Sequence, residues 1–364
     1  LFYIIVAIIL LDFVIDQILD FLNAKHFDDP IPLSLQDVFD AEEYQKSQRY
    51  NKTRHRFGLV SSTFSLVVLL LFLFFDGFDF VDQVARSISE NPIIIALIFF
   101  GIIMLGSDFL SLPFSYYSTF VIEEKFGFNK TTKKTFFLDK LKGWGMMIVV
   151  GGAILALIVW FYQFAGEDFW WYAWILVGVF SIFLNMFYAR LIVPLFNKQN
   201  PLPEGSLRNK IENYAQKEGF KLEKIFVIDG SKRSTKANAY FSGFGNEKRV
   251  TLYDTLINDL EEEEIIAVLA HEVGHYRKNH VIVNLIISIL TTGFTLWLLS
   301  LFVGNPLLSH ALGVENHGFH IGLVAFGLLY SPISEITGII MNYLSRKFEY
   351  HADNFARRTY SSGP

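Results

Sequence analysis

Residues 267–290 read "AVLAHEVGHYRKNHVIVNLIISIL": two histidines four apart around a glutamate, followed at once by an unbroken apolar run. The first half has the form of a metal motif. On a helix His271 and His275 lie one turn apart and present their imidazoles to one point, a pairing suited to zinc. Glu272 is rotated by about 100° from His271. It therefore reaches a water held at the metal, where it can take a proton and later deliver it to a leaving amine. The bland alternative is two polar histidines on a half-exposed helix.

The second half of the stretch has the length of a membrane span, and composition agrees. The 364 residues are 52% hydrophobic and 18% charged, too apolar for an ordinary soluble protein. The net charge of -5 and the lack of a basic patch interleaved with exposed aromatics argue against nucleic acid as a partner. With no cysteine, disulfides, thiolate metal sites and cysteine nucleophiles are excluded, so a metal must be held by His, Asp or Glu.

A window of about 20 residues marks seven candidate spans, at 1–22, 57–78, 93–114, 144–164, 169–195, 281–303 and 319–341. The first has no basic start and no small-residue cleavage site, and it carries Asp12, Asp16 and Asp20. It reads as a retained span, and the initial Leu1 suggests that the numbering starts inside a longer chain. Basic and non-basic connections alternate. Residues 23–56 hold six Lys or Arg and residues 115–143 hold six, whereas 79–92 have Arg86 alone and 304–318 none. The positive-inside rule then puts segment 196–280 and the C-terminus in the cytoplasm. Asp12, Asp16 and Asp20 share one helical face, and Asp108, Arg190 and Glu335 also lie in or beside apolar runs. Such groups face one another or water, either as buried ion pairs or as the lining of a hydrated cavity.

Four regions follow: 1–195 with five spans, 196–280 as a cytoplasmic metalloprotease domain, 281–341 with two spans, and 342–364 as a C-terminal helix. Within 196–280, "RNKIENYAQKEGF" has helical periodicity, "KIFVIDG", "ANAYFSGFG" and "KRVTLYD" are short β-rich runs, and a helix starting near Asn258 carries the histidines. A catalytic zinc needs a third protein ligand. In "LSRKFEYHADNFARR", Glu349 and Asp353 are one turn apart, so Glu349 can ligate while Asp353 accepts the second N–H of a ligating histidine. The rivals are His280, expected on the same helix but rotated by about 140° and pointing away, and His351, on the far side of the helix from Glu349.

These residues carry a resemblance. "EEYQKSQRYNKTRHRF", "TFVIEEKFGFNKTT", "PLFNKQNPLPEG", "GSKRSTKANAYFSGF", "HEVGHYRKNH" and "LSRKFEYHADNFA" resemble, in order and spacing, the integral-membrane zinc CAAX prenyl proteases. The resemblance implies a mainly α polytopic membrane protein, about seven transmembrane helices enclosing a hydrated chamber, with a small α+β zincin-like metalloprotease domain. It further implies one zinc ion per chain and a peptide or protein substrate lipidated at its C-terminus. It also implies that Asn238, Ala239, Tyr240 and Phe241 form an edge strand that pairs with substrate backbone. In that family a tyrosine-serine-histidine-proline segment and an arginine follow the last helix; the sequence here runs to "RRTYSSGP", short of where that segment would lie. The membrane would be the endoplasmic reticulum in a eukaryote and the inner or plasma membrane in a bacterium. Two alternatives stand beside this reading: a membrane quality-control protease indifferent to prenyl groups, and a transporter or receptor, which the intramembrane acids would also suit.

Overall fold

The computed structural model describes residues 1–33, 36, 40–219, 222, 224–243 and 248–360. Phe220, the end of "ANAYFSGFG" and the terminal "SSGP" lie outside them. The helices run in chain order α1 (Phe2–Ala24), α2 (Ala41–Phe74), α3 (Gly77–Ile88), α4 (Pro92–Tyr117), α5 (Lys133–Met146), α6 (Gly152–Ala165), α7 (Phe169–Leu191) and α8 (Val193–Phe196). A mixed region follows with β1 (Gln199–Pro201), α9 (Ser206–Lys217), β2 (Ile225–Ile228), β3 (Ala239–Ser242) and β4 (Arg249–Tyr253). The chain ends in α10 (Asp254–Asp259), α11 (Glu262–Arg277), α12 (His280–Phe302), α13 (Pro306–His310) and α14 (Phe319–Thr359).

Among the described residues, six continuous helical runs are long and apolar enough to cross a membrane. The difference from seven lies in one of them. Lys133–Phe196 spans 64 residues and contains both 144–164 and 169–195. Gly166, with φ +58°, opens a single 3-10 turn there, Gly166–Asp168, where the helix direction can change without the Cβ clash an L-residue would suffer.

The chain divides into two compact units. The first comprises residues 1–129, 147–170 and 297–336. In it α3 turns Phe78, Val81, Asp82 and Ala85 inward, the i, i+3, i+4, i+7 stripe of an amphipathic helix. One of those four is an acid. Asp82 is 1% exposed and is held by His320 Nε2 at 2.7 Å and Arg86 Nε at 2.7 Å. In α1, Asp12 accepts a hydrogen bond from the Ser331 hydroxyl of α14.

The second unit comprises residues 130–146, 171–296 and 337–364. Its four-stranded sheet has the order β1-β2-β4-β3, with β2 and β4 parallel and both outer pairs antiparallel. One face of α11, formed by Ile265, Ile266, Leu269, Ala270, Val273 and Gly274, closes the core over Val250 and Leu252 of β4. Truncating a side chain as buried as Leu269 to Ala costs about 2–5 kcal/mol. The helix does not begin near Asn258, as its acidic content suggested. α10 ends at Asp259, Leu260 is extended, and Glu261 caps a new helix through a reciprocal capping box with Glu264. The acidic run is thus cap plus first turn, where backbone N–H groups need acceptors. Residues 319–341 and 342–359 belong to one helix, α14.

Candidate metal centre

His271 and His275 project from the last two turns of α11, and Glu349 from α14. One ligand atom from each lies within 4.8 Å of the others, and they form a possible metal-binding group among the described residues. The two Nε2 atoms are 3.0 Å apart, and Glu349 Oε2 is 3.3 Å from that of His271 and 3.6 Å from that of His275. Asp353, one turn after Glu349, takes His271 Nδ1 at 2.8 Å. A carboxylate only accepts, so the proton sits on Nδ1 and the Nε2 lone pair is left for a cation. Two imidazoles and a carboxylate with no thiolate are a donor set suited to zinc.

The helices approach closely because Gly274 permits it. A Cβ there would lie 2.9 Å from Ala352 Cα and 3.0 Å from its carbonyl oxygen. Burial lowers the pKa of His275, which favours the neutral imidazole a metal requires. Burial raises the Glu272 carboxyl above the ordinary range, with the charge of His271 opposing; a bound dication would pull it back down.

His280 is placed otherwise than its spacing suggested. α11 stops at Arg277, Asn279 takes φ +57°, and His280 opens α12 instead of continuing the earlier helix. It is 3% exposed, with Nδ1 3.0 Å from His275 Nδ1, on the side of that ring away from the metal-facing nitrogen. A rotation of 140° applies only along one continuous helix, and the helix breaks between Arg277 and His280. A short polar residue, Asn279, after a basic helix end was the available signal for a left-handed corner. His351 is exposed, with its ring centroid 5.9 Å from that of His280.

β3 is the terminal strand of the sheet and packs beside α11, with Phe241 stacked on Tyr276 at 6.1 Å. Ala239, Tyr240 and Phe241 lie in the strand, while Asn238 precedes it and its carbonyl accepts from Tyr253 N–H at 3.0 Å. That bond sets the phase of the ladder. Asn238 and Tyr240 face β4 with their backbone groups, while Ala239 turns its N–H and C=O to the outer edge. The Asn238 side chain covers that N–H at 2.8 Å. A cavity of about 550 Å³ borders the strand, lined by Asn238, Tyr240, Tyr188, Tyr276 and Ile282 among others.

Comparison with known proteins follows the same lines. A family model described as CAAX prenyl protease N-terminal, five membrane helices, matches residues 20–198, and Peptidase family M48 matches residues 201–363. The CAAX prenyl protease 1 homolog of Dictyostelium discoideum is 34% identical over 335 residues, covering 90% of this chain and 78% of its own. CAAX prenyl protease 1 of Saccharomyces cerevisiae is 34% identical over 354 residues, with the same coverage. The crystal structure of S. mikatae Ste24p superposes with a TM-score of 0.93 at 34% identity, over 98% of this chain and 88% of that one. The chain is a multi-pass membrane metallopeptidase that belongs to the CAAX prenyl protease family.

Proposed function

We propose that the chain is a zinc-dependent endopeptidase that cuts near the C-terminus of prenylated CAAX-type substrates, at the cytoplasmic face of its membrane. The observation that carries the chemistry is the convergence of His271, His275 and Glu349 within 4.8 Å, with Glu272 beside them on α11. When bound there, zinc would polarise the scissile carbonyl and make water acidic enough to deprotonate near neutral pH. Glu272 takes that proton and returns it to the leaving amine. Asp353 fixes His271 in the tautomer that can ligate.

Substrate recognition rests on β3. An extended peptide laid along its outer edge would displace the Asn238 side chain from the Ala239 N–H and use that donor itself. Such strand addition grips main chain whatever the side chains, and Ala239–Phe241 run towards α11, which carries the histidines. The adjoining cavity, within the usual size range of ligand pockets, offers room for side chains of the bound segment. The names of the relatives and the position of the zinc helix, one corner before the apolar α12, together favour a lipid-bearing substrate. Orientation rests on the alternating basic loops. The hydrated chamber implied by the family would bring water to the site. As domains, 196–280 with the end of α14 forms the catalytic part, and the other helices the membrane part.

The deciding experiment presents the purified protein with a farnesylated CAAX peptide and its unprenylated twin. Preferential cleavage of the farnesylated form supports the proposal. Equal cleavage of both would favour a quality-control protease instead, and cleavage of neither, with zinc bound, would remove the peptidase reading.

A further inference from the structure

We infer that His280 is a positioning residue for the metal centre, holding His275 as Asp353 holds His271. The inference rests on the zinc reading above. A histidine that ligates through Nε2 keeps its proton on Nδ1 and needs an acceptor for it. For His271 that acceptor is the Asp353 carboxylate at 2.8 Å. At the Nδ1 of His275, Asp353 has no counterpart among the carboxylates of the described residues; the group placed there is His280 Nδ1, at 3.0 Å. A neutral His280 protonated on Nε2 presents an Nδ1 lone pair to that N–H.

The geometry is built rather than incidental. His280 is buried, and its ring lies parallel to Phe348, 11° between planes and 4.2 Å between centroids. Phe348 immediately precedes the candidate ligand Glu349. One side chain therefore contacts a candidate ligand on α11 by a hydrogen bond and the neighbour of another, on α14, by stacking. Its own position is set by the left-handed corner at Asn279, which turns the first residue of α12 back towards α11. The two histidines also differ in consequence. His271 leans on a charged acceptor and His275 on a neutral one, which makes His271 the more basic donor.

The test separates the hydrogen bond from the packing. His280→Phe keeps an aromatic ring to stack on Phe348 and removes the acceptor. His280→Asn loses the ring but carries Oδ1 on Cγ, where the histidine carries Nδ1. Zinc affinity of the full-length detergent-solubilised protein is measured by competition with a chelator of known affinity, with thermal unfolding recorded alongside. His280→Phe is expected to bind zinc about 10–100-fold more weakly, and His280→Asn to recover most of that loss. Parent-like zinc affinity in His280→Phe overturns the inference. So does an equal loss in both variants when both unfold at the parent's temperature. Should His280→Phe fail to fold, parent-like affinity in His280→Asn with weak binding in His280→Ala supports the assignment, and a weak His280→Asn overturns it. A parent protein that takes up no zinc would instead refute the zinc reading itself.

Discussion

Glu349 and Asp353 lie at distances from the two histidines where single atoms decide outcomes, and the proposed role of Glu272 is tested at the same scale. Glu272→Gln preserves shape and leaves both histidines and Glu349 untouched. Zinc content should therefore match the parent, while turnover falls by roughly three orders of magnitude or more, because proton removal and delivery are lost together. A variant retaining a tenth of parental turnover would show another base at work. His271→Ala and Glu349→Ala should each abolish stoichiometric zinc by metal analysis. Most of this set can be read from spacing: HExxH places three residues, and the i, i+4 relation of Glu349 to Asp353 places two more. His280 could not be placed that way. Its position depends on the φ of Asn279, and helix-wheel arithmetic fails wherever the backbone turns left-handed.

At the level of elements, α11 and α14 meet across Gly274. Gly274→Ala puts a methyl against the Ala352 backbone, which cannot swing aside as a side-chain end could. Such overpacking costs about 1–3 kcal/mol, and the relief available is a shift of α14 that carries Glu349 away from the histidines. Lower zinc affinity with a modestly lower unfolding temperature is expected; parent-like zinc binding would mean that the helices absorb the methyl elsewhere. Asn238→Ala tests β3 separately. It should weaken turnover with zinc occupancy unchanged, measured on the same preparation. The β-rich runs around β2, β3 and β4 are legible from branched and aromatic residues bounded by Gly and charged turns. β1 was not, because a three-residue strand containing Pro201 has neither propensity nor period. The cap at Glu261 was hidden inside a run of four glutamates, which looked like a continuous helix start.

For the molecule as a whole, the acid limit of stability has a nameable contributor. Burial opposes ionisation of Asp82, but the hydrogen bonds from His320 and Arg86 outweigh it and hold its carboxyl below the ordinary 3.8. A depressed native value stabilises the fold above the unfolded value, and that contribution disappears as pH falls through the native one. Unfolding temperature should thus drop as the buffer approaches this range, and drop less in Asp82→Asn, which has no charge to lose. Asp82→Ala at neutral pH should cost about 3–5 kcal/mol, since it strands partners in a buried site. Hydropathy located the apolar runs but cut the chain into consecutive blocks. The compact units instead draw on three separate stretches each, because long-range packing leaves no mark on a sliding window.

The corner at Lys278–Asn279 between α11 and α12 has a kinetic consequence. Two residues separate the helix bearing His271 and His275 from an apolar helix of 23 residues, so the proposed hydrolytic centre would be moored at the lipid surface on a tether too short to lift away. An enzyme so moored meets lipid-anchored substrate by lateral diffusion, and its rate follows the substrate's mole fraction in the bilayer rather than its molarity in the tube. Adding inert lipid to proteoliposomes at constant total enzyme and substrate should slow cleavage in proportion to dilution. Turnover of a water-soluble peptide by the same vesicles should be unaffected.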